Sequence, residues 1–154
     1  MNHVTTSGAL QRLLATGSGW GPLALRIPIG IIFAAHGAQK LFGTFGGYGL
    51  EGTGQFMASL GLTPGYLMAL LAGSAEFFGG LALLFGVLVR PAAAALAFAM
   101  LVAIFAAHID KGLFMANNGY EFGLALLAAS VSLLISGAGK LSVDAALATR
   151  AAAR

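Results

Sequence analysis

Four stretches of this 154-residue chain, at about 22–42, 64–89, 91–109 and 120–137, are almost continuously apolar. Roughly 20 apolar residues are what a helix needs to cross a hydrocarbon core of about 30 Å. The expected fold is therefore all-α: an integral membrane four-helix bundle occupying residues 21–139, preceded by an N-terminal segment, 1–20, and followed by a C-terminal tail, 140–154. Composition agrees, because only 8% of the residues are charged, against about 25% in a soluble domain.

Prolines mark the span boundaries. Pro22, Pro64 and Pro91 each open an apolar run, and proline suits the first helical position, where its missing N–H has no partner to lose. Thr63 is the expected N-cap of the second span. Pro28, inside the first span, predicts a kink that a membrane bundle tolerates. That first run starts near Leu23, is long and contains this proline, so it reads as a retained span and not as a signal peptide. The longest connector, residues 43–63, is rich in glycine, with a short helix at 53–60 carrying Phe56, Met57 and Leu60 on one side, or else an ordinary loop.

Orientation follows the bias of lysine and arginine near the spans. Arg12, Arg26, Arg90, Lys140, Arg150 and Arg154 gather toward one side, while Lys40 and Lys111 fall on the other. The first side is expected to be cytoplasmic, with both termini there and the protein a multi-pass component of the inner cell membrane. Arg26 reads as an anchor at the cytoplasmic interface.

Against this apolar background two patterns repeat. Phe33-Ala34-Ala35-His36 with Lys40 four residues on is echoed by Phe105-Ala106-Ala107-His108 with Lys111, and Glu76-Phe77-Phe78-Gly79-Gly80 is echoed by Glu121-Phe122-Gly123. A charge in mid-bilayer costs about 2.5 kcal/mol or more on the insertion scale. Counted at about 1.5 Å per residue, His36, Glu76, His108 and Glu121 all stand roughly 20–24 Å from the cytoplasmic boundary. One polar layer on four helices, built by a duplicated two-helix hairpin in parallel topology, accounts for the coincidence, and such repeats commonly hold their site at the repeat interface. The competing account is packing alone, since polar groups also hydrogen-bond between helices without further function.

Within the layer His36 and Glu76 carry the most weight, because their helices continue beyond them. Glu121 follows Asn117-Asn118-Gly119, where a carboxylate also serves simply to favour a helix N-terminus. Lys40 and Lys111 have two roles open, leaning toward the carboxylates as ligand-binding groups or snorkelling to the headgroups; Asp110 favours snorkelling for Lys111.

Several classes of function are excluded. The net charge of +3 comes from scattered residues and not from a clustered basic face, which argues against nucleic acid. With no cysteine, Fe–S clusters, disulfides and a thiol nucleophile are absent from the chain, and thiol chemistry must come from a partner. No helical two-ligand metal pattern, glycine-rich phosphate loop or dinucleotide fingerprint occurs, so no metal, NAD or flavin site is expected.

The motifs Arg26-x-x-x-Gly30, His36-Gly37-x-x-Lys40-Leu41-Phe42-Gly43, Ala75-Glu76-Phe77-Phe78-Gly79-Gly80, Ala107-His108, Tyr120-Glu121-Phe122 and Gly137-x-Gly139-Lys140-Leu141-Ser142-Val143-Asp144 together resemble the DoxX family of small four-helix membrane proteins, over about residues 25–147. The resemblance implies a membrane subunit of a redox system. Its partners are then the lipid bilayer and redox proteins that handle thiols or superoxide, and no oligomeric state follows. Histidine exchanges protons near neutral pH, which suits a site for a quinone or small reductant at His36, Glu76, His108 and Glu121. The alternatives are a non-enzymatic scaffold or assembly factor for redox partners and, third, a small-solute or proton carrier.

Overall fold

The computed structural model describes residue 16 and residues 19–152. Residues 1–15 of the N-terminal segment, including Arg12 of the charge-bias argument, lie outside the described residues, as does Arg154. Six α-helices occur, with no strand among the described residues: α1 (Gly21–Phe42), α2 (Gly49–Ser59), α3 (Gly65–Phe85), α4 (Val89–Ala103), α5 (Glu121–Ser136) and α6 (Val143–Ala152). α4 continues through a π turn, Ile104–His108, and a 3₁₀ turn, Ile109–Lys111. Three helical segments are long and apolar enough to cross a membrane: Gly21–Phe42, Gly65–Phe85 and Val89–Lys111. The fourth apolar helix, Glu121–Ser136, is shorter.

Large apolar side chains such as Ile31, Phe78, Phe98, Phe105 and Ile135 remain exposed on these helices, the pattern of a surface whose solvent is lipid. α1 packs along α3, α4 along α5, and α3 also meets α2 and α4. Inside, Phe33, Leu83, Val89, Leu96, Met100, Leu126 and Leu133 join in one buried cluster. It lies toward the proximal end, where α1 begins and α3 finishes.

Close approach of α1 and α3 depends on glycine. A Cβ at Gly37 would stand 2.6 Å from the Phe77 Cα, so no larger residue fits without moving a backbone. Gly37→Ala is expected to cost about 1–3 kcal/mol as overpacking and to lower the apparent melting temperature in mild detergent. Gly21→Ala, where an added Cβ meets nothing within 4 Å, is the matched control.

Helix ends depart from the proline-based boundaries. Pro64 is itself the N-cap residue of α3, and Thr63 makes no capping bond. α4 starts two residues before Pro91 because its first N–H groups are capped from a distance: the Asp144 carboxylate accepts from Leu88 N (2.7 Å) and Val89 N (2.9 Å). Pro28 sits within an uninterrupted α1.

Arg26 departs furthest from expectation. It is 1% exposed, turned into the protein, and donates to Leu83 O (2.8 Å), Leu84 O (2.6 Å), Ala138 O (3.0 Å) and Leu141 O (2.6 Å). Carbonyls in the last turn of α3 lack intrahelical donors, and a cation there also suits the negative end of the helix dipole. Gly86, at φ 66°, turns the chain directly after α3, and its carbonyl accepts from Asp144 N (2.9 Å). The tail motif from Gly137 to Asp144 thereby closes the proximal end through Arg26 and Asp144, both fully buried.

Candidate functional site

The distal end, where α1 and α4 finish, is built differently. His36 and Lys40 are four residues apart on α1, so they share one face of that helix. α3 brings Glu76 opposite, and the Lys40 Nζ donates to Glu76 Oε2 in an ion pair. The carboxylate is almost fully buried, and the lysine side chain is 24% exposed. Such a pair stands only because each charge offsets the desolvation of the other.

His36 lies against the Phe122 ring of α5, centroids 6.0 Å apart and planes tilted by 49°. His108 is carried on the π turn, a local widening of a helix that is frequent at functional sites. Its Nδ1 donates to Asn118 O at 2.7 Å. A carbonyl only accepts, so the neutral imidazole assigned from this contact keeps its hydrogen on Nδ1 and presents an acceptor at Nε2.

These groups share a cavity of about 670 Å³. His36, Lys40, Glu76 and His108 all line it, together with Phe33, Met100 and Leu126 from the apolar core. The expected connector helix exists as α2, and Phe56, Met57 and Leu60 form one wall. The size and the mostly apolar lining with a few polar groups are those of a small-molecule site.

Of the expected polar layer, His36, Glu76 and His108 line this cavity with Lys40, whereas Glu121 and Lys111 are not among its lining residues. Glu121 Oε1 instead accepts from Met115 N at 2.6 Å. With the bonds Tyr120 N to Gly112 O (3.1 Å) and Glu121 N to Leu113 O (2.8 Å) it holds the connector before α5. Lys111 is exposed in the turn after α4. The two echoes thus differ in role: one forms a buried ion pair, the other secures a loop. Among the described residues no three His, Cys, Asp or Glu side chains cluster as a metal site.

The residues that match the DoxX profile are 21–109, which takes in His36, Lys40, Glu76 and His108 and ends before Glu121. The chain belongs to the DoxX family. Its relatives extend the similarity over most of the chain. It is 36% identical over 124 residues to "Putative oxidoreductase CatD" of Bacillus subtilis, covering 80% of this chain and 84% of that protein. It is 37% identical over 130 residues to the inner membrane protein YqjF of Escherichia coli, covering 80% and 89%. An uncharacterised protein of Haemophilus influenzae is 31% identical over 133 residues, covering 86% and 87%. No solved structure matches the chain significantly.

In this DoxX chain two participants escaped the sequence reading. Asn118 supplies the carbonyl that orients His108, and its φ of 60° was signalled by the Asn-Gly pair, which favours such turns. Phe122, the ring beside His36, carries no chemical signal of its own and becomes visible only once α1 and α5 are packed.

Proposed function

We propose that this DoxX protein is a membrane subunit of a redox system, and that its cavity takes a quinone or small reductant. The observation that carries the reading is the convergence of His36, the Lys40–Glu76 pair and His108 on one otherwise apolar cavity. Conversion of a quinone to a quinol takes up two electrons and two protons. The histidines are the groups suited to exchange those protons, His108 taking a quinol hydroxyl proton at its Nε2 acceptor or returning it in the reverse direction, and the Lys40 ammonium polarises an oxygen that gains charge. Electrons come from a partner redox protein.

The relative named as an oxidoreductase supports the redox assignment, and the Escherichia coli relative supports an inner-membrane location. In the arrangement proposed, α5 completes a four-span bundle with both termini cytoplasmic, and the two echoes descend from a duplicated hairpin.

Gentle purification followed by extraction and mass spectrometry of bound quinone tests the reading. The double variant His36→Ala with Glu76→Gln, expressed stably, is expected to lose at least about tenfold in quinone retained, equivalent to about 1.4 kcal/mol of binding. Absence of quinone from the unaltered protein, with membrane redox behaviour unchanged in the double variant, would sink it.

A further inference from the structure

α3 and α4 run antiparallel from the short turn at Gly86, and they touch where Gly79 faces Leu96: an added Cβ on Gly79 would stand 3.0 Å from the leucine side chain. Beyond that contact both helices contribute side chains to the cavity wall. Met68, Leu71, Ala72 and Ala75 on one face of α3, and Ala95, Ala99, Val102 and Ala106 on one face of α4 and its π turn, all line the cavity. Apart from the adjacent Leu71 and Ala72 their spacing is three or four residues, that of single helical faces. Small residues dominate the α4 face and leave the gap unfilled. At the rim Leu71 and Phe98 line the cavity and are also 56% and 68% exposed, so the gap opens sideways on a surface that is apolar throughout.

From this slot between α3 and α4 we infer that the cavity is loaded laterally from the bilayer, by an amphiphile with an uncharged hydrogen-bonding head and a flexible apolar chain. The inference rests on the small-molecule reading of the same cavity and adds its route and ligand class. Three observations select that class. The rim is apolar, so a strongly hydrated solute gains nothing by crossing it. Lys40 and Glu76 neutralise one another, so the site calls for no net charge in its ligand. At about 30 Å³ for each water-sized group, the 670 Å³ cavity holds roughly 20 non-hydrogen atoms, and a single ring head without a chain leaves much of it empty. The head meets His36 and His108 while the chain lies in the slot.

The chain has no native cysteine, which permits a reversible test on the full-length protein in lipid nanodiscs. Leu71→Cys is combined with Phe98→Cys, and the two thiols are bridged across the rim by a bifunctional methanethiosulfonate. Decylubiquinone is the probe, with the chain-free ubiquinone ring as its comparison. The unbridged protein is expected to retain decylubiquinone at least about tenfold more tightly than the bare ring. Bridging is expected to slow decylubiquinone uptake by about tenfold or more, and reduction of the bridge to restore it. Ala99→Trp, which fills the slot from α4, gives the same loss without cross-linking and serves if the double-cysteine protein does not express.

Equal retention of the two probes, or uptake unaffected by both the bridge and Ala99→Trp, overturns lateral loading while the small-molecule site stands. Retention of neither probe by the unaltered protein overturns both readings.

Discussion

Arg26→Met is expected to abolish recovery of folded protein. The substitution keeps an apolar stem of similar reach and removes the guanidinium that donates to Leu83, Leu84, Ala138 and Leu141 carbonyls. Leaving a buried acceptor unsatisfied costs about 1–3 kcal/mol; Leu83 O keeps the Gly86 N–H, so the other three lose at least about 3 kcal/mol, a large part of the roughly 5–15 kcal/mol that holds a domain together. Arg26→Lys keeps the charge but not the planar fork that spans α3 and the tail at once, and it recovers only a minor part. Yield of monodisperse protein and apparent melting temperature in mild detergent measure both. An Arg26→Met protein that melts with the unaltered chain contradicts the role assigned to the guanidinium.

The Lys40–Glu76 pair gives the second large effect, and a double-mutant cycle separates architecture from chemistry. Lys40→Met strands a buried carboxylate, at a cost of about 3 kcal/mol. Glu76→Gln costs less, since the lysine side chain keeps 24% of its surface exposed and its ammonium can reach water or headgroups. The double variant is expected to regain about 2 kcal/mol over the sum of the single changes, the mark of direct coupling. Glu76→Gln is also expected to stay folded and still lose retained quinone. Full stability together with full retention in that variant means that the carboxylate acts neither in the bundle nor in the site.

The spans were legible because about 20 apolar residues in a row have few other uses, and α1, α3 and the α4 segment follow from length and hydropathy. His36, Glu76 and His108 were legible for the same reason, as ionisable residues are rare in such runs. Glu121 was grouped with Glu76 by the echo and the depth count, while its place after Asn117-Asn118-Gly119 left a helix N-terminus role open. It stands at the first residue of α5, where a loop N–H competes for the carboxylate. Arg26 and Asp144 were seen as charges but not as the closure of the proximal end. Their partners lie 55 or more residues away in sequence, and no local periodicity encodes a contact of that range. The start of α4 was misplaced for the same reason, since its cap comes from the tail and Pro91 supplied only a local cue.

The closure at Arg26 also bears on energy conservation. About ten residues of α1 separate Arg26 from His36, roughly 15 Å along the helix axis, and the interval is filled by Phe33, Leu83, Leu96 and Leu133, each at most 1% exposed. A tightly packed apolar layer backed by the guanidinium is a barrier of the kind by which pores exclude protons. Under the proposed redox role, the cavity exchanges protons only on its distal side, and a membrane that carries many copies of the protein is expected to keep its electrochemical gradient intact.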